Sequence, residues 1–236
     1  MIDMHSHILP YIDDGAKDVE MSLAMLKLAK EQGVKKIAAT PHCFTSKQDG
    51  IDGFLRKRQE SYEKLMSAME NKEDYPEIIL GAEIHLACDM GELPNISSLC
   101  YQNTNYILLE IPDGYNPATF AEWVYNISIK GLRPVIAHID RYKGFQDFMD
   151  ELVPLDVIFQ VNATQFSTLS GRMLLKKIFK KHNKFIVSSD MHNLTSRPCN
   201  IGTAFASAQK KFPKLSPMLF NDGALAILGN KDFPIL

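Results

Sequence analysis

The sequence predicts an α/β fold, a distorted (β/α)7 barrel of the triosephosphate-isomerase type, in one domain spanning 1–236. Two observations predict it. Short apolar runs alternate with longer amphipathic ones along the chain, as strands and helices do around a parallel sheet. Seven such units fit a chain of 236 residues, which suits a closed or distorted barrel. A doubly wound open sheet is the competing architecture. No internal repeat, low-complexity segment or linker divides the chain.

The elements follow in order. Ile2 to His5 reads as the first strand. Val19, Leu23, Leu26 and Ala29 recur at helical spacing, and Gly33 stops that helix. Lys36 to Thr40 is the second strand, followed by a polar loop around Ser46 to Gly53. Phe54 to Met69 is a charged helix carrying Leu55, Tyr62, Leu65 and Met69 on one face. Ile78 to Ile84 is the third strand. Ala87 to Asn103 is irregular, broken by Gly91 and Pro94. Tyr106 to Ile111 is the fourth strand, Ala118 to Lys130 a helix ending near Gly131, and Pro134 to His138 the fifth strand. Val157 to Val161, the helix Arg172 to Lys181 and Phe185 to Ser189 complete the pattern, with short helical pieces after Gly202.

Composition narrows the function classes. Apolar residues at 45% and charged residues at 23% are ordinary for a globular protein. A net charge of -2 offers no basic excess for nucleic acid or an anionic membrane. No apolar stretch approaches the ~20 residues of a membrane span, and Met1 to His5 does not open a signal peptide. The four cysteines, Cys43, Cys88, Cys100 and Cys199, form no C-x-x-C pair. A cytoplasmic chain with free thiols is expected. No C-x5-R occurs, so a cysteine nucleophile for phosphoryl transfer is not expected.

The chemistry-bearing residues fall at one recurrent place. His5, His7, His42, His138 and His192 lie at or just past strand ends. So do Glu83, Glu110 and Asp190, while Asp14 sits in the loop after the first strand. In an α/β barrel these ends form one face, where active sites gather. Side chains two apart share a strand face, so His5 pairs with His7 and Asp190 with His192. These pairs would meet if the first and last strands are neighbours. Imidazoles and carboxylates without thiolate suit manganese, iron or zinc. Nine such residues exceed the needs of one ion and suit three, with positions left for water. Three divalent ions would outweigh the four carboxylates, and Arg141 and Arg197 could reach the same face. Guanidinium forks match phosphate oxygens, so a phosphate monoester is the expected substrate.

The segments MHSHILPYIDDG, AATPH, GAEI, LLEI, VIAHIDRY and SSDMHNLTSRP, in this order, resemble the PHP (polymerase-and-histidinol-phosphatase) family. Within it they are most similar to the bacterial manganese-dependent protein-tyrosine phosphatases of capsule and exopolysaccharide operons. The resemblance implies three metals. His5, His7, Glu83 and Asp190 would hold the first, Glu83, Glu110 and His138 the second with Glu83 bridging, and Asp14, His42 and His192 the third. Arg141 and Arg197 would bind phosphate, and His42 or a bound water could assist the leaving group. Manganese is the metal implied first, with iron or zinc as alternatives. The implied substrate is a phosphotyrosine protein, the tail of a bacterial tyrosine kinase controlling polysaccharide export. No nucleic acid or membrane insertion is expected. The chain carries HIDRY where HIERY is more typical. No metal role is implied for His85, and His182 is expected at the surface. A phosphatase acting on a small monoester such as histidinol phosphate, a nuclease of the same family, an amidohydrolase and a non-catalytic module gripping a kinase tail are the rival readings.

Overall fold

A computed structural model describes residues 1–234. Strand β1 (Ile2–Ser6) leads into helix α1 (Val19–Glu31). Asp18 caps α1 by accepting the Met21 amide at 2.7 Å, and Gly33 leaves it at a φ of 84°, a turn that favours glycine. Then come β2 (Lys36–Ala39), β3 (His42–Cys43), α2 (Gln48–Ala68), β4 (Glu77–Leu80), β5 (Glu83–His85) and β6 (Tyr106–Glu110). The second half runs through α3 (Pro117–Ser128), β7 (Arg133–Ile136), α4 (Phe145–Leu152), β8 (Ile158–Asn162), α5 (Leu169–Lys181) and β9 (Phe185–Ser188). Helices α6 (Ile201–Lys211) and α7 (Gly223–Leu228) end it.

Every strand pairing is parallel, in the orders β1-β2-β4 and β3-β5-β6-β7-β8-β9. The two sheets share staves. β2 runs on into β3, and β4 into β5, with the ladder carried across the breaks by Gly81 N–H to Ala39 O at 2.9 Å and Glu83 N–H to Pro41 O at 3.1 Å. The first and last staves meet at a parallel bridge between Ser6 and Met191. Across that seam Asp3 accepts the Ser189 amide at 2.9 Å. The result is a closed ring of seven staves, β1, β2/β3, β4/β5, β6, β7, β8 and β9, with helices outside.

Three expectations are corrected. The predicted third strand is broken at Gly81 and Ala82 into β4 and β5. The backbone there passes so near Tyr101 that a Cβ on Gly81 would lie 3.0 Å from its ring. The predicted loop from Ser46 to Gly53 is helical from Gln48 onward. Burial of Ile51, and a Gln48 to Asp52 side-chain hydrogen bond at 3.0 Å, carry Gly50 and Gly53 into α2 despite their poor helix propensity. Helix α4 was not expected, although Phe145, Phe148, Met149 and Leu152 recur at helical spacing.

Strand alternation sorts the core into two parts. Ile107, Leu109, Ile136, Phe159, Val161, Phe185 and Val187 face the helices. Leu108, Val135, Ile158 and Ile186 line the inside with Ile2, Met4 and Ile227 of α7. Each such buried aliphatic side chain contributes about 1.5–3 kcal/mol. The inner column changes character along the strands. Leu108 gives way to Glu110, Ile158 to Gln160 and then Asn162, Ile186 to Ser188 and then Asp190. The register Glu83 to Leu108 puts Glu83 on that same inner face. Apolar packing thus fills one end of the ring and leaves polar groups converging at the carboxyl ends of the strands.

Candidate metal centre

All nine predicted His, Asp and Glu residues meet at that end, with Glu83 at the centre. Glu83 Oε2 lies 3.1 Å from His5 Nε2, 3.2 Å from His7 Nε2 and 3.0 Å from His42 Nδ1. Its Oε1 lies 2.7 Å from His138 Nε2, which is 3.6 Å from Glu110 Oε1. Asp14 Oδ1 stands 3.5 Å from His42 Nε2 and 3.4 Å from His192 Nε2. Asp190 Oδ1 is 3.5 Å from His5 and 3.6 Å from His7. Two of these residues sit on left-handed backbone, His138 at φ 28° and Asp190 at φ 53°. Such strain in a non-glycine residue persists only where the surroundings fix it. His138 N–H is held by Gln160 Oε1 at 2.6 Å and Asp190 N–H by His5 O at 2.9 Å.

Electrostatics keep the carboxylates charged. Burial pushes the Glu83 carboxyl up, but His5, His138 and His42 outweigh it and hold it well below the usual range. Burial likewise raises Asp190, and His5, His7 and His138 outweigh it in the same way. For His192 burial and the neighbouring His7 act together, and its imidazole is pulled down to about 4. A neutral imidazole with a free electron pair is the form that binds a metal.

The residues fit a group of divalent ions. Among the described residues, five buried side-chain polar atoms have no hydrogen-bond partner. Four belong to this cup: His42 Nδ1, Glu83 Oε2, Asp190 Oδ1 and His192 Nε2. Buried polar atoms are ordinarily satisfied, so four orphans aimed at one another call for a cation. Among the described residues, three sets have ligand atoms within 4.8 Å of one another: His5, His7 and Asp190; His42, Glu83 and Glu110; His7, Asp14, His42 and His192. They overlap the sets implied by resemblance, with His42 beside Glu83 and Glu110, and His7 joining Asp14.

Several residues orient the cup that the sequence did not single out. Asp13 Oδ2 accepts from His7 Nδ1 at 2.7 Å and from the His42 amide at 3.0 Å. Burial raises the Asp13 carboxyl, yet the His7 contact wins and holds it near 2. Gln160 Oε1 lies 3.1 Å from His5 Nδ1. Asp190 O lies 3.1 Å from His192 Nδ1. In each case Nδ1 is engaged by the protein and Nε2 turns into the cup. The turn that places Asp13 needs Gly15, whose Cβ would lie 2.2 Å from His7 O. The signal for Asp13 was the acidic pair of the DDG motif; Gln160 left none, since it reads as an ordinary strand residue. His85 Nδ1 sits 2.8 Å from Glu110 Oε2 and steadies that carboxylate. Asp140 of HIDRY is buried, accepting from the Asn162 amide and Gln165, both at 2.8 Å. His182 is corrected: it is half-buried, hydrogen-bonded to Val157 O at 3.1 Å and set edge-on to Phe159 and Phe185.

Arg141 and Arg197 reach the cup from the side. Arg197 Nη2 is 2.6 Å and Arg141 Nη1 3.3 Å from Asp190 Oδ2. Both guanidinium groups are part-exposed, so donors remain for a ligand at the mouth. Three of the four thiols are unsuited to nucleophilic attack: burial pushes Cys43 up to about 11 and Cys100 and Cys199 to about 12.

The model of the family described as "Capsular polysaccharide synthesis, CpsB/CapC" matches residues 1–228. The chain belongs to the CpsB/CapC family. It is 28% identical over 239 residues to tyrosine-protein phosphatase YwqE of Bacillus subtilis, covering 98% of this chain and 92% of that protein. It is 31% identical over 246 residues to tyrosine-protein phosphatase CpsB of Streptococcus pneumoniae, covering 97% and 98%. Among solved structures, one from the pair YwqE of B. subtilis and CpsB of S. pneumoniae, described as unique metal-dependent tyrosine phosphatases, matches with a TM-score of 0.84. It is 26% identical, and the match covers 100% of this chain and 97% of that one. A histidinol phosphate phosphatase from Lactococcus lactis shares the fold at a TM-score of 0.55 and 10% identity, covering 90% and 93%. Among the described residues, no helix is long and apolar enough to cross a membrane.

Proposed function

We propose that this chain is a metal-dependent protein-tyrosine phosphatase, a single cytoplasmic catalytic domain that hydrolyses phosphotyrosine in a protein tail. The observation that carries the reading is the four orphaned ligand atoms in a cup whose mouth is open. Asp14 is 66% exposed at that mouth, beside both part-exposed arginines. An open rim of this kind suits a residue on a polypeptide better than a small metabolite, which favours an enclosing pocket. The family membership and the activities of YwqE and CpsB support the same choice. The tail of a tyrosine kinase in capsule or exopolysaccharide synthesis is the substrate that fits this family.

His5, His7, Asp14, His42, Glu83, Glu110, His138, Asp190 and His192 would hold three divalent ions, manganese first among them. Bound there, the ions would supply Lewis acidity and water acidified toward neutral pH. The chain's residues do the rest. Arg141 and Arg197 grip phosphate oxygens with planar forks and stabilise the charge they gather as the ester bond breaks. Asp13 and Gln160 keep His7 and His5 turned inward. The leaving phenol has a pKa of about 10, so a strong general acid is not required. His42 would serve as a ligand rather than as the acid for the departing oxygen, since its two ring nitrogens face Glu83 and Asp14.

Hydrolysis of a phosphotyrosine peptide and of histidinol phosphate, each with chelated protein and after adding Mn2+, tests the reading. Mn2+-dependent turnover of the peptide, well above that of histidinol phosphate, is expected. Full activity after chelation, or preference for histidinol phosphate, would overturn it.

A further inference from the structure

Phe44 follows β3 directly and is 68% exposed. A single exposed apolar residue is ordinary on a protein surface. The position of this one is not. Its ring centroid lies 5.1 Å from the ring of His42 and 5.4 Å from that of His85. His42 Nδ1 in turn sits 3.0 Å from Glu83, and His85 Nδ1 2.8 Å from Glu110. Phe44 therefore rests on two imidazoles fixed to the central carboxylates, with its remaining surface turned to solvent at the mouth of the cup. Its backbone is well anchored: Cys43 before it is buried, and β3 is locked to β5 in the register His42 to Glu83.

We propose that Phe44 is a platform for the aromatic ring of the substrate, making the cup selective for aryl over alkyl phosphate monoesters. This rests on the phosphotyrosine reading above and adds the residue that recognises the ring. With the phosphate held between Arg141, Arg197 and the ligand cluster, the ester substituent must leave through the mouth. A flat apolar group there meets the Phe44 ring in an offset or edge-on contact, the geometry aromatic pairs prefer. An alkyl substituent presents less area and no ring. Such a contact corresponds to a preference of about two- to tenfold.

Calorimetric binding of phenylphosphonate and methylphosphonate to the Mn2+-loaded full chain reads this preference without turnover. The wild type should favour the phenyl ligand, F44A should make the two affinities equal, and F44W should restore the difference. If F44A bound neither ligand measurably through damage to the cup, F44L decides, since it keeps an apolar body without the π-face. Loss of the phenyl preference in F44L supports the platform, and a wild-type preference in it overturns the proposal. A wild-type preference in F44A, or none in the wild type, also overturns it. Failure of the wild type to hydrolyse a phosphotyrosine peptide would instead defeat the phosphatase reading, whatever the calorimetry gives.

Discussion

Asp13 Oδ2 stands 2.7 Å behind His7 Nδ1 at the wall of the cup. It fixes which nitrogen of His7 faces inward. Partners of this kind typically alter metal affinity by about 10- to 100-fold. D13A should therefore weaken Mn2+ binding by about that factor while the fold persists. Chelator competition measures it, and an affinity equal to the wild type would show that the contact orients nothing of consequence.

Glu83 touches four imidazoles and sits closer to the centre than any other carboxylate here. E83Q keeps the shape and removes the charge. Turnover of a phosphotyrosine peptide should fall by about 10²- to 10³-fold, with fewer ions retained per chain by elemental analysis. Retention of the wild-type ion count with unchanged turnover would contradict the central role assigned to it.

Arg141 and Arg197 are assigned to phosphate through their planar forks. R197K keeps the charge but not the fork. Both R197K and R197A should lower kcat/KM for a phosphotyrosine peptide, R197A by about 100-fold, with little change in metal content. If R197K matched the wild type, charge alone would suffice and the fork geometry would be irrelevant.

Removing the ions should also loosen the structure, since Glu83, Glu110, Asp14 and Asp190 are crowded into one cup. Ligand at about 100 times its Kd stabilises by about 2.7 kcal/mol, which for a domain of this size is a Tm change of about 5–10 °C. EDTA-treated protein should melt lower by roughly that amount and recover with Mn2+. An identical Tm in both states would show that the ions bind a cup rigid without them.

His182 gives a pH-dependent contribution remote from the cup. Burial, reinforced by Lys184, holds its imidazole below the ordinary value of about 6.5. As pH falls, the unfolded chain takes up that proton first. The contribution to stability is thus intact above about pH 6.5 and is lost as pH drops through the lower folded value. H182Q, which cannot titrate, should lose less stability than the wild type between pH 7.5 and pH 5.5 in urea unfolding at equal Mn2+. Parallel losses would show that His182 is not a source of the dependence.

The sequence made the imidazoles and carboxylates legible because they recur where strands end, in pairs spaced to share a face. The parallel order of strands was equally plain from the alternation of short and long apolar segments. Less visible was anything decided by long-range contact. Asp13 and Asp14 are adjacent and chemically identical, yet the turn at Gly15 sends one behind His7 and leaves the other at the mouth. Gln160 acquires its role only when β7 and β8 bring His138 beside it. The break at Gly81 depends on Tyr101, which comes from the irregular segment before β6. In α2, Ile51 overrides two nearby glycines only because a buried site awaits it.

The seam between Ser6 and Met191 carries a temporal implication for biosynthesis. His5 and His7 leave the ribosome long before Asp190 and His192, which must emerge before the circle can shut. No nascent fragment lacking the stave that carries Asp190 can assemble the full cation trap, so acquisition of the complete metal complement would report closure of the ring and separate closed molecules from fragments cut short of it.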